Sequence, residues 1–255
     1  MKNNWISLAI GLAAGCFGGM LGIGGGLIMI PLMIILLKLT QHQAHGTSLV
    51  ALVFTGISGA LTYARQGNID YWAVAALALT AMATSRAGAH FANAIAGWKL
   101  RKWFGAFLLV SAVLLIIKPW LPAIGSQNPF YVKMIILLAA GVVTGFLSGM
   151  MGVGGGVIMI PAMVLLVGFG QHAAQGTSLL VMVPVGMTGA WTHYRLGNVA
   201  TKILPGLIPG ILLGAFLGSH AANRIPDTPL RLVFIALMIF MGIRYIMAKA
   251  PVEDD

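Results

Sequence analysis

The chain has 255 residues and only five acidic ones: Asp70, Asp227, Glu253, Asp254 and Asp255. None lies in the middle of an apolar stretch. Proton- and sodium-coupled carriers commonly use a buried carboxylate. This chain has none to offer, so any proton coupling would have to run through histidine, which titrates near neutral pH. A cationic substrate is disfavoured for the same reason. A single cysteine, Cys16, excludes an intrachain disulfide and a cysteine metal cluster. Histidine pairs at metal-ligand spacing within one helix are missing, so neither a metal nor a cofactor is expected. Paired carboxylates are missing too, which leaves a membrane enzyme little beyond histidine and serine to work with.

Charged residues of either sign make up 8% of the chain, against 59% hydrophobic. A soluble domain carries about 25% charged residues, so this composition describes an integral membrane protein. The apolar runs are continuous, without the period-2 alternation of an outer-membrane strand, and helices are expected. The net charge of +10 is spread along the chain. That pattern suits loops held on the cytoplasmic face, with a second reading as attraction of an anion. It does not suit nucleic acid.

What the chain does have is a duplication. Residues 15–50 and 145–180 are identical at 20 of 36 positions, at one offset of 130 residues without a gap. The offset continues through Arg65/Arg195, Asn68/Asn198, His90/His220 and Arg101/Arg231. Internal repeats build many transporters, with substrate held between the halves. We read residues 1–121 as the first half, 122–130 as a linker, 131–250 as the second half and 251–255 as an acidic tail. The recurrence of the N-terminal glycine pattern at 141–151 argues for a structural helix at the N-terminus rather than a cleaved signal.

Apolar segments run over Trp5–Leu21, Leu27–Leu39, Leu49–Ala64, Tyr71–Ala92 and Trp103–Leu121. They recur at Tyr131–Met151, Val157–Phe169, Leu179–Tyr194, Ile203–Ala222 and Leu232–Met247. The expected fold is an all-α polytopic bundle of two homologous halves with eight to ten spans. Leu27–Leu39 and Val157–Phe169 fall short of the roughly 20 residues a crossing needs and are either tilted crossings or re-entrant arms. Ten helices place nine basic residues on one face and five on the other; eight helices split them eight to six. The bias favours an inverted five-plus-five repeat with both termini cytoplasmic.

Two motifs carry the chemistry. The first is Gly22-Ile23-Gly24-Gly25-Gly26 with Pro31, repeated as Gly152-Val153-Gly154-Gly155-Gly156 with Pro161. Each glycine costs a helix about 1 kcal/mol relative to alanine, so the triplets mark breaks. Free N–H groups at the next helix start can hold an anion without a charged side chain. The plain alternative is a tight packing turn. A dinucleotide loop is excluded, because no strand precedes it. The second motif is Gln41-His42-x-Ala44-x-Gly46-Thr47-Ser48, repeated as Gln171-His172-x-Ala174-x-Gly176-Thr177-Ser178. Thr and Ser at the head of an apolar run read as cap and first-turn residues, or as donors completing an anion cradle. Arg86, inside an apolar segment, is a candidate ligand or a snorkelling side chain. His193 stands opposite Tyr63 and falls outside the repeated set.

GIGGGLIMIPLM with AHGTSL, and GVGGGVIMIPAM with AAQGTSL, resemble the TauE/SafE family over essentially the whole chain. The resemblance implies a bacterial inner-membrane permease for small sulfur-linked anions such as sulfite and organosulfonates, with direction open. Its motif falls on Gly24, Gly25, Gly26, Pro31, Gly46, Thr47, Ser48 and their copies. The expectation is therefore a transporter working by alternating access. Its substrate site would comprise Gly24, Gly25, Gly26, Gly46, Thr47, Ser48, Gly154, Gly155, Gly156, Gly176, Thr177, Ser178, Arg86, His42 and His172. Expected partners are a small anion, membrane lipid and a second copy of the chain as a candidate dimer mate. An anion channel and a non-transporting assembly subunit are the alternatives.

Overall fold

A computed structural model describes residues 2–91, 97–118 and 128–247. Most of the linker and the acidic tail lie outside these. The described residues form ten helices and no strand: α1 (Lys2–Leu21), α2 (Gly26–Leu37), α3 (Gln41–Ala64), α4 (Tyr71–Phe91), α5 (Gly97–Ile117), α6 (Phe130–Met151), α7 (Gly156–Ala162, continued by a π-turn over Met163–Val167), α8 (Gln171–Arg195), α9 (Leu204–Ala222) and α10 (Asp227–Ile246). Asn4–Leu21, Gln41–Ala64, Phe130–Met151, Thr201–Ala222 and Asp227–Ile246 are long and apolar enough to cross a bilayer.

The two sets of five helices interlock. Helix α1 packs along α9, α6 along α4, α3 on α8 and α5 on α10. Small residues make this possible, because lipid offers no hydrophobic drive and close backbone approach must supply the contact. A Cβ on Gly15 would lie 3.0 Å from Ala215 N, and one on Gly19 2.9 Å from Ala215 Cα. Gly145 and Gly149 meet Ala81 and Ser85 in the same way. These contacts advance in the same direction, so α1 runs parallel to α9 and α6 to α4. Gly56 instead meets Leu179 and Val183, while Gly186 meets Leu49 and Val53. Helix α3 is therefore antiparallel to its repeat mate α8.

Helices α3 and α8 begin eight residues earlier than the apolar pattern suggests. Thr40 caps α3, accepting from Gln43 N at 3.2 Å while the Gln43 side chain returns to Thr40 N. This capping box captures the polar Gln41–Ser48 stretch as helix. Thr47 and Ser48 consequently stand in the second turn, not at a cap.

Candidate functional site

Both glycine breaks lie in the middle of the bundle and touch each other. Gly22, Gly24 and Gly25 have φ of 72°, 77° and 80°; Gly152 and Gly154 have 63° and 75°. Only glycine adopts this region without strain. A Cβ on Gly26 would lie 2.7 Å from Gly152 O, and one on Gly156 2.9 Å from Ile23 Cα. Leu52, halfway along α3, and Met182, halfway along α8, pack on the paired turns. Helices α2 and α7 start there and run outward.

The hydroxyls of the second motif tie this crossing together. Ser48 Oγ lies 2.7 Å from Gly152 O and Ser178 Oγ 2.6 Å from Gly22 O, each donating across to the other half's turn. Thr47 Oγ1 accepts from Ala200 N at 2.9 Å, and Thr177 Oγ1 from Asp70 N at 3.0 Å. Gly46 and Gly176 let α3 and α8 approach the loops at Asn198 and Asn68. Thr47, Ser48, Thr177 and Ser178 are fully buried and committed to these bonds. The expected donor cradle is, in its side chains, a two-fold clamp.

A cavity of about 730 Å³ opens beside the paired turns. Its walls come from α2 (Ile30, Pro31, Ile34), the start of α3 (His45), the residues flanking Gly152 (Met151, Val153) and the end of α10 (Phe240 to Met247). Its ionisable lining residues are His45, Arg244 and Tyr245. The repeat mates of the inner wall are packed shut: Leu21, Ile23, Ile160 and Gln175 are fully buried, and Val164 is 1% exposed.

Three contacts seal this second side, and the open side lacks the residues to make them. Tyr63 donates to Gln175 Oε1 at 2.9 Å, where the mates are His193 and His45. Lys118 Nζ donates to Phe169 O at 3.4 Å, where the mate of the lysine is Ala248. Asp227 pairs with His172 Nδ1 and accepts from Gln171 N at 3.1 Å, where the mate of the aspartate is Gly97. His172 Nε2 meets Ala222 O at 3.0 Å. Both ring nitrogens thus lie against oxygens, which fixes the ring between Asp227 and α9.

Residues 7–245 match the family described as Sulfite exporter TauE/SafE. The chain belongs to the TauE/SafE family. It is 30% identical over 227 residues to "Probable membrane transporter protein YunE" of Bacillus subtilis, covering 79% of this chain and 83% of that one. Identity to "Probable membrane transporter protein YdhB" of the same organism is 28% over 218 residues, 84% and 88% of the two chains. A "Probable membrane transporter protein" of Haemophilus influenzae is 24% identical over 257 residues, 93% and 96%. No solved structure matches. This TauE/SafE member is a multi-pass membrane protein of a transporter family.

Within that TauE/SafE frame, the structure separates the expected site residues. Gly24, Gly26, Gly154 and Gly156 meet the other half at the crossing, Gly25 and Gly155 pack on Ala14 and Thr144 of their own halves, and His45, adjacent to Gly46, lines the cavity. His172 is held by Asp227, and His42 is exposed at the start of α3. Arg86 is exposed on α4 and is not part of the cavity wall; its chain is free to snorkel. Arg86→Gln is therefore expected to leave anion affinity within about twofold, as a surface change does, measured by isothermal titration. Sequence reasoning missed Arg244 and Tyr245, which no motif marks, and left His45 unassigned. The departure from repeat symmetry at His45/Gln175 was the available signal.

Proposed function

We propose that this chain is a carrier of small anions, sulfite and organosulfonates among them, rather than an enzyme. We read its halves as inverted repeats that alternate access to the paired glycine turns in a bacterial inner membrane. The cavity, set against its buried two-fold counterpart, carries this reading. It reaches the turns from one face, while the two-fold related space is filled by Ile160, Val164 and Gln175. A channel would leave both paths open; a carrier closes one. The antiparallel crossing of the repeat mates α3 and α8 agrees with inversion. Swapping the conformations of the two halves would close the present cavity and open its mate. Among the lining residues, His45 and Arg244 can bear positive charge and none is a carboxylate, which suits an anion. The family description supplies the sulfur chemistry.

The test uses purified protein in liposomes, with saturable uptake of sulfite or methanesulfonate as the expected result. Ile34→Cys and its mate Val164→Cys, each in a Cys16→Ser background, then report the two faces. A membrane-impermeant maleimide is expected to modify the thiol of Ile34→Cys at least about tenfold faster than that of Val164→Cys, the rate difference that about 1.4 kcal/mol of opening produces. Equal reactivity with non-saturating flux would indicate a channel. No flux of any anion would leave the assembly subunit.

A further inference from the structure

The proton-coupling question left by the missing carboxylates has a structural answer at His193. This side chain is 1% exposed in the last turn of α8. Its Nε2 lies 3.2 Å from Gly149 O, so Nε2 bears the hydrogen. Its Nδ1 is buried and, among the described residues, meets no hydrogen-bonding partner. A neutral imidazole so placed keeps one bare acceptor lone pair in the protein interior. Buried polar atoms of this kind are rare and call for a role.

The surroundings say which role. His193 packs against Gly46, a Cβ there meeting His193 Cβ at 3.0 Å. Gly46 follows His45 of the cavity wall, and Gly149 lies shortly before Met151 of the same wall. His193 thus stands one layer behind the open cavity. The ionisable groups near enough to act on it are the exposed His42 from α3 and His90 from α4, with His45 next to the Gly46 it packs on; α6 contributes none near Gly149. Each is neutral or cationic, so among the described residues no fixed carboxylate neutralises an imidazolium here. The repeat mate, Tyr63, is no histidine, and its one hydroxyl hydrogen is directed at Gln175 Oε1 and Met20 O.

We propose that His193 is the proton-coupling group of the carrier, taking up one proton for each anion loaded, so that the protein is an anion–proton symporter. The proposal rests on the anion-transport reading above. The step balances simply. A proton from water on the open face adds to Nδ1, forming one N–H bond and an imidazolium. It returns to water on the opposite face when the cavity reopens there. An unpaired imidazolium inside the protein is costly. A negatively charged solute in the adjoining cavity offsets that cost, so the two bind together. By linkage, each strengthens the other equally. Anion affinity therefore rises as pH falls and levels off once His193 is protonated. An inward proton gradient drives inward accumulation.

The experiment uses the full chain in liposomes with methanesulfonate, which stays ionised throughout. For the wild type, affinity is expected to improve about tenfold between roughly pH 8 and pH 5.5, equal to about 1.4 kcal/mol of coupling. An acid-outside gradient should drive accumulation. His193→Tyr installs the residue that the other half carries at the equivalent position. It should retain methanesulfonate exchange at equal pH, lose gradient-driven accumulation and show less than about twofold pH dependence. His220→Gln, on an exposed face of α9, should behave as wild type. A His193→Tyr protein that still accumulates anion on a proton gradient overturns the proposal. So does one that has lost exchange as well, since His193 would then serve folding. A wild type that exchanges no anion contradicts the transport reading instead.

Discussion

Gly25→Ala is expected to abolish anion flux in liposomes and to lower the detergent-solubilised melting temperature by several degrees. Two separate effects act at this position. The φ of 80° costs an L-residue about 1–2 kcal/mol. The added methyl would also meet the carbonyl of Ala14, whose carbon would lie 2.9 Å away. A backbone group cannot rotate aside, so the turn and α1 must separate. Overpacking of this kind costs typically about 1–3 kcal/mol beyond the strain. The damage lands on the crossing, because the next residue, Gly26, lies against Gly152 of the other half. Gly197→Ala is the control. Its φ is 72° with nothing within 4 Å, so it carries the strain without the collision. It should keep its flux and lose only about 1 kcal/mol of stability. Wild-type flux in Gly25→Ala would mean that the paired turns need not touch during transport.

Asp227→Asn combined with Lys118→Met should open the sealed face. The thiol introduced by Val164→Cys is then expected to react with maleimide about tenfold faster than it does without those two changes. The carboxylate holds the start of α8 through Gln171 N and His172, and His172 in turn reaches α9. The lysine holds the end of α5 to the connection between α7 and α8. Asparagine keeps the shape of aspartate but loses the charge that draws the His172 ring and the Gln171 N–H. Methionine keeps the aliphatic stem of lysine and loses the donor. Hydrogen bonds to charged groups contribute about 1.5–3 kcal/mol each, and half-exposure of Asp227 reduces that share. A shift of about 1.4 kcal/mol is enough for the expected tenfold change. With Ile34→Cys as the reporter instead, the same pair of changes should slow the reaction, because one face closes as the other opens. Unchanged rates at both positions would show that these contacts do not hold the gate.

Much of this molecule can be read from its residues because bilayer physics narrows the choices. Long apolar runs must be helical, and triple glycines must interrupt them. The duplication announces that whatever one half does, the other does in related form. Two local signals were legible but outweighed by the hydropathy pattern. Thr40 and Gln43 spell a capping box that moves the start of α3 back over polar residues. The exchange of Gln175 for His45 marks the face that carries the cavity. Arg86 shows the limit of the approach, since a cation within an apolar segment reads alike whether it faces substrate or headgroups.

The linear chain by itself determined the helical membrane class, the ten segments, the central breaks and the family, because periodicity, glycine placement and motif identity are local properties. Folding alone decided which surfaces meet. Helix α1 pairs with α9, the Ser48 and Ser178 hydroxyls clamp opposite turns, and His193 comes to stand behind a cavity whose counterpart is filled. Those outcomes depend on contacts between residues far apart in the chain, whose geometry follows from close backbone packing rather than from any neighbouring stretch.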